Sequence, residues 1–199
     1  MNSANVIAEE DQARAHCYAI LGRLWYAAPD ASFASYIAGL PAADGATPLG
    51  LAWNGLQEAC RHGDEAARRL EYDGLFVGVG KAPVTLYTCA YVAPHAPDCH
   101  LLALRNALDG LGLGRQSGAG EAEDHISGLC DTMRALIGCG AGVAAERRFF
   151  FQFVAPAIEP LCAAVSNHPQ AGFYRAAASF TQSYCEVERA AFELEGTPE

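Results

Sequence analysis

Basic side chains are scarce in this chain. Thirteen Lys and Arg stand against 23 Asp and Glu in 199 residues, a net charge of −10. Nucleic acid demands a basic surface, so this balance argues against it and favours a basic partner. No window shows the alternating, β-branched pattern of strands, which excludes a sheet. The eight cysteines (Cys17, Cys60, Cys89, Cys99, Cys130, Cys139, Cys162, Cys185) contain no CxxC pair and no zinc-ribbon spacing. They sit mostly at apolar positions of helical patterns and read as reduced core residues. There is no GxSxG elbow, phosphate-binding loop or dinucleotide fingerprint, and Gly78 and Gly80 meet no phosphate-loop pattern. No stretch approaches the ~20 apolar residues of a membrane span. Glu9, Glu10 and Asp11 stand where a secretory signal would carry basic residues. A soluble, cytoplasmic protein is expected. The length suits one domain, residues 1–199, able to bury roughly 70% of the surface of its unfolded chain.

What is present is helical periodicity. Cys17, Tyr18, Leu21, Leu24, Trp25 and Ala28 predict a first helix over Val6 to Ala28, stopped by Pro29. A second runs from Ser32 to Leu40, followed by a turn on Asp44-Gly45. A third begins at Pro48 and ends near Arg61. Asp64 is placed to cap a fourth. Asp98 is expected to cap a helix carrying Leu101, Leu104, Leu108 and Leu111. Arg115 to Gly120, rich in glycine and serine, reads as a flexible connection. Ile126, Leu129, Cys130, Met133 and Ile137 mark the next helix, ended by Gly138 and Gly140. Phe150, Phe153, Val154, Ile158, Leu161, Cys162 and Val165 form a strongly apolar face, with a kink or restart near Ala155 because Pro156 and Pro160 lack backbone donors. The last helix, Gln170 to about Glu195, repeats Phe173, Ala177, Phe180, Tyr184, Val187 and Ala191. The fold class is therefore all-α, a single-domain bundle of about eight helices.

Two stretches carry chemistry. Tyr72, Leu75 and Phe76 fall at i, i+3 and i+4 and share one face of a helix end that Gly78 and Gly80 terminate. The loop that follows is apolar through Val79, Val84, Leu86, Tyr87 and Tyr91. It either folds onto the core or forms one wall of a groove for an apolar partner. The second stretch is Glu121 to His125. Asp124 beside His125 either supplies a carboxylate that activates an imidazole or caps the following helix while His125 packs beneath the loop. His95, Cys99 and His100 are too few for a structural zinc. Arg147-Arg148 ahead of Phe149-Phe150 reads as the start of an amphipathic helix, and Arg68-Arg69 as a solvated helix face with salt-bridge partners nearby.

Together the residues resemble the TorD/DmsD family of cytoplasmic molybdoenzyme maturation chaperones, to which the NarJ type is related. Tyr72-Asp73-Gly74-Leu75-Phe76 with Gly78 and Gly80 is similar to the family's Tyr/Trp-x-x-Leu-Phe helix end and Gly-rich loop. Glu121-Ala122-Glu123-Asp124-His125 is similar to its Glu-Pro-x-Asp-His signature, with Ala122 in place of proline. Thr85-Leu86-Tyr87 also departs from relatives that carry proline and tryptophan there. Phe149-Phe150, Phe153, Pro156, Leu161 and Phe173-Tyr174-Arg175-Ala176 resemble the closing helices. The resemblance implies binding rather than catalysis, with no cofactor or metal of its own. Its implied partner is the twin-arginine leader and apo form of a molybdenum-containing oxidoreductase, bound by a monomer or weak dimer. The implied peptide-binding residues are Tyr72, Leu75, Phe76, Leu86, Tyr87, Glu121, Glu123, Asp124 and His125, the apolar ones taking the leader's hydrophobic segment and the acidic ones its arginines. The alternatives are an assembly factor for a non-exported molybdoenzyme subunit and, from another class, a small metal-dependent hydrolase using Asp124 and His125.

Overall fold

A computed structural model describes residues 8–78, 81–114 and 121–195. Among them the chain is all-α, with helices α1 (Glu9–Tyr26), α2 (Ala31–Gly39), α3 (Pro48–His62), α4 (Glu65–Tyr72), α5 (Cys89–Val92), α6 (Pro97–Gly110), α7 (Ile126–Cys139), α8 (Val143–Phe149), α9 (Ala155–Ser166) and α10 (Phe173–Glu195). Packing divides it into two compact units: residues 1–26 with 87–156, and residues 27–86 with 157–199. Val79, Gly80 and the connection Arg115 to Gly120 lie outside the described residues.

In the first unit α7 lies along α1 and also meets α8. Tyr18, Leu21, Leu24 and Trp25 of α1 are wholly buried, as are Ile126, Leu129 and Met133 of α7. The stripe read from α7 is thus its buried face, and Gly140 ends the helix in the left-handed conformation at φ 66°. After α8 the backbone widens into a π turn, Phe150–Val154, in which the Ala155 N–H bonds back to the Phe150 carbonyl. The expected restart at Ala155 is there. The wider turn shifts the hydrogen-bond pattern by one residue immediately before Pro156, which has no donor to offer. One run, Val143–Ser166, is 24 residues long with a hydropathy of 1.5, long and apolar enough to cross a membrane, against the expectation that no stretch comes near this. Buried residues account for 56% of its most apolar window, the mark of a core helix.

In the second unit α3 packs on both α2 and α10. Thr47 caps α3 ahead of Pro48, and Asp64 caps α4 through the Ala67 N–H at 2.6 Å. Gln57, buried in α3, donates to the carbonyls of Ile37 and Leu40 at the end of α2. The solvated face expected of Arg68 is not what it has. This side chain is buried, donating to the carbonyls of Pro29 and Gly63, with its guanidinium 5.9 Å from the centre of the Phe173 ring. Two carbonyls and an aromatic face solvate the cation in place of a carboxylate. Its neighbour Arg69 does pair at the surface, with Asp73.

Three further expectations are corrected. Asp98 does not cap α6: Pro97 takes the first helical position, so Asp98 is already inside the first turn. Val187 and Ala191 of α10 are exposed, and Glu188 and Phe192 are buried in their stead, because the helical repeat drifts by one position over the helix's length. Cys99 and Cys139 are exposed, whereas Cys60, Cys130, Cys162 and Cys185 are buried.

The start of α10 is held by a side chain from α4. Glu71 accepts from the N–H groups of Gly172 (2.9 Å), Phe173 (3.0 Å) and Tyr174 (2.8 Å). These are donors with no acceptor inside the helix, and the carboxylate lies where the helix dipole favours negative charge. Glu71→Ala strands three N–H groups and is expected to destabilise the protein by about 2 kcal/mol. Thermal denaturation followed by circular dichroism should show a midpoint lowered by roughly 4–8 °C. A midpoint equal to wild type would mean that water replaces this cap at no cost.

Candidate functional site

The nine implied site residues divide between the two units: Tyr72, Leu75, Phe76 and Leu86 in one, Tyr87, Glu121, Glu123, Asp124 and His125 in the other. In the second unit α4 continues as a π turn, Asp73–Val77, closed by the Gly78 N–H on the Asp73 carbonyl at 2.9 Å. Gly78 has φ 62°, and a Cβ there would lie 3.0 Å from the backbone of Lys81 and Ala82. Only glycine lets the chain turn back this tightly. Val84 then donates to the Leu75 carbonyl, and Leu75, Val84 and Leu86 are all buried. Tyr72 and Phe76 keep part of their surface. Their rings lie 5.1 Å apart, and Tyr174 closes the cluster at 5.7 and 4.9 Å. Leu75 and Leu86, being buried, present nothing to a ligand. The loop that follows is folded onto the core at Val84 and Leu86, while Tyr87 remains 37% exposed.

In the first unit the segment 121–125 is tied to residues 87–89. Tyr87 and His125 form an isolated antiparallel bridge, and their rings meet edge to face at 5.3 Å. The Thr88 N–H (2.9 Å) and hydroxyl (3.1 Å) both donate to the Asp124 carbonyl. The Asp124 carboxylate accepts from the Cys89 N–H at 3.2 Å. Asp124 thus serves the first residue of α5, and the expected capping of α7 falls to His125. Its Nδ1 accepts from the Ser127 N–H at 3.3 Å and lies 2.6 Å from the Ser127 hydroxyl, which donates to it in the same tautomer. Asp124 and His125 are both buried and their side chains bond to different partners. They do not form a carboxylate–imidazole pair, so Asp124 is not placed to activate this imidazole.

Glu121 and Glu123 flank this fixed backbone. Glu121 accepts from the Tyr87 hydroxyl, and Glu123 pairs with Arg105 of α6 at 3.1 Å. Both carboxylates line a cavity of about 490 Å³ that lies wholly within the first unit. Tyr26, Leu108 and Leu113 give it apolar surface, and α7 contributes Gly128, Asp131, Thr132 and Ala135. Its volume is that of a small-ligand or side-chain pocket. Asp131, Thr132 and Tyr26 were not among the implied residues. The signal for the α7 members was legible, since Gly128, Asp131, Thr132 and Ala135 form a small and polar stripe at i, i+3, i+4 and i+7 directly after the signature.

Burial holds the His125 imidazole below its ordinary pKa, although Glu121 and Asp124 act in the opposite direction. For Cys89, burial first and the Asp124 carboxylate second push the thiol up to about 11. His125 makes stability depend on pH. Its folded pKa lies below the unfolded value of about 6.5, so the unfolded chain binds more protons in that interval and stability is lost as pH falls below about 6.5. Protonation of Nδ1 also removes the acceptor that caps α7. Urea titrations between pH 7.5 and 5 should show this decline, and His125→Asn, which caps without titrating, should flatten its part of it. Identical pH profiles for the two proteins would refute the assignment.

The family model described as "Nitrate reductase delta subunit" matches residues 42–163, well over half of the chain. The match runs from just before α3 into α9 and includes both stretches described above. No curated protein matches the chain at a significant level.

Proposed function

The chain belongs to the nitrate reductase delta subunit family, a NarJ/TorD-type family of molybdoenzyme assembly chaperones, and from that premise we propose that it is a cytoplasmic, non-enzymatic chaperone that binds the twin-arginine leader of an apo-molybdoenzyme. Binding holds the client back from export while its cofactor is loaded. The observation that carries this reading is the acidic cavity of the first unit, where Glu121 and Glu123 stand on a backbone pinned by Thr88. A guanidinium is the natural ligand of a carboxylate held at a fixed angle, because its donors form a planar fork. The apolar walls at Tyr26, Leu108 and Leu113 suit the stem of an arginine or the residues beside it. The net charge of −10 steers a cationic leader towards the protein. Of the apolar residues implied by the resemblance, Tyr72, Phe76 and Tyr87 are the ones with surface left for contact.

The description of the matching family names a reductase subunit, and a second reading takes the chain as an assembly factor whose client is a molybdoenzyme subunit that is not exported. The two readings differ in what the arginines do. Calorimetry with a synthetic leader should give micromolar or tighter binding that weakens as salt is raised. Glu121→Gln and Glu123→Gln should each weaken it about five- to tenfold. Leu75 and Asp124 are less informative positions, since both are buried and their loss would disturb folding. Replacing the leader's arginine pair with alanine should abolish binding. Undiminished binding of that peptide would favour the non-exported client, and flat titrations with every leader would end the proposal.

A further inference from the structure

The carboxylate of Glu123 is already occupied by a guanidinium belonging to the chain itself. Arg105 reaches from α6 to place Nη2 3.1 Å from Glu123 Oε2. The two partners differ in setting: the Glu123 side chain is only 14% exposed, whereas that of Arg105 is 51% exposed. Glu123 lines the cavity and Arg105 does not. The anion is thus fixed in the wall, and the cation is a long side chain approaching it from the solvent side, able to swing away at little cost.

We infer that Arg105 is a built-in stand-in for an arginine of the incoming peptide, and that Glu123 is the carboxylate that receives this arginine. This inference rests on the leader-binding reading and adds to it which acid makes the exchange and what must leave. The exchange swaps one guanidinium–carboxylate pair for another, so the half-buried Glu123 is not left without a cation in either state. In the empty protein Arg105 keeps Glu123 oriented and partly neutralised. It also competes with any ligand, so its presence lowers affinity. A ligand that supplies two donors in the same fork replaces what Arg105 gave up, and an ammonium replaces less of it. Glu121 plays a different part, because its partner is the neutral Tyr87 hydroxyl, which need not leave when a cation arrives.

A double-mutant cycle on the full-length protein tests this, with Arg105→Ala, Glu123→Gln and their combination titrated calorimetrically with a synthetic twin-arginine leader. Arg105→Ala should bind roughly two- to fivefold more tightly than wild type, the range of an exposed ion pair. In the Glu123→Gln background the same substitution should change nothing, because there is no longer an anion to vacate. Arg148→Ala, which removes an exposed charge of α8 in the same unit, reports the general effect of one fewer positive charge. If Arg105→Ala tightens binding equally in both backgrounds, or no more than Arg148→Ala does, Arg105 acts only through net charge and the inference falls. Weaker binding by Arg105→Ala overturns it as well, and would make Arg105 a support for the site. If no leader binds wild type or any variant, it is the leader-binding reading that has failed.

Discussion

The pairing of residues 87–89 with Asp124 is the constraint on which the first unit's site depends. One carbonyl, Asp124 O, receives both donors of Thr88, and one carboxylate, from the same residue, receives the N–H that opens α5. Thr88 and Asp124 are buried, so these bonds are shielded from competing water. Everything beside them is set by that choice. Because Asp124 is engaged, His125 becomes the cap of α7. Because the backbone is fixed there, Glu121 and Glu123 stand at fixed positions in the cavity wall. The acidic signature is therefore two sets of residues with separate tasks, buried anchors at its end and solvent-reaching carboxylates before them.

That division bears on how binding motifs are read. Of the nine residues implied by the family resemblance, Leu75, Leu86, Asp124 and His125 are buried, and Tyr72, Phe76, Tyr87, Glu121 and Glu123 keep surface. A motif records the residues a site requires, and a site requires its supports as much as its contacts. Here Leu75 and Asp124 are buried, and Asp124 is bonded to the backbone of Thr88 and Cys89.

Much of the architecture was legible because it rests on local chemistry. Pro48 after Thr47, Asp64 before α4 and Gly140 after α7 each mark a helix end for a reason confined to a few residues. The all-α class and the buried faces of α7 and of Phe150 to Val165 follow from periodicity alone. What could not be read depends on partners distant in sequence. Arg68 looks like a surface arginine until Pro29 and Phe173 are brought to it, and Glu71 looks like any helix glutamate until α10 begins above it. The π turns escape for another reason: a helix period of 3.6 tolerates one wide turn without losing its stripe, so Asp73–Val77 and Phe150–Val154 leave no mark in the pattern. In the candidate site the acidic run was legible as chemistry. Its assignment was not, because the Asp124 carboxylate is taken by the N–H of Cys89, 35 residues earlier in the chain, which leaves the cap of α7 to His125.

Burial first, and then the carboxylate that secures α5, act on the sulfur of Cys89. With its pKa near 11, the Cys89 thiol is almost wholly un-ionised at neutral pH, and it is the thiolate that reacts with peroxides and electrophiles. The cysteine nearest the signature is thereby kept chemically quiet. Cys99 and Cys139 are exposed, so thiol-directed dyes and spin labels should attach to those two positions first and leave the chemistry around Asp124 unaltered.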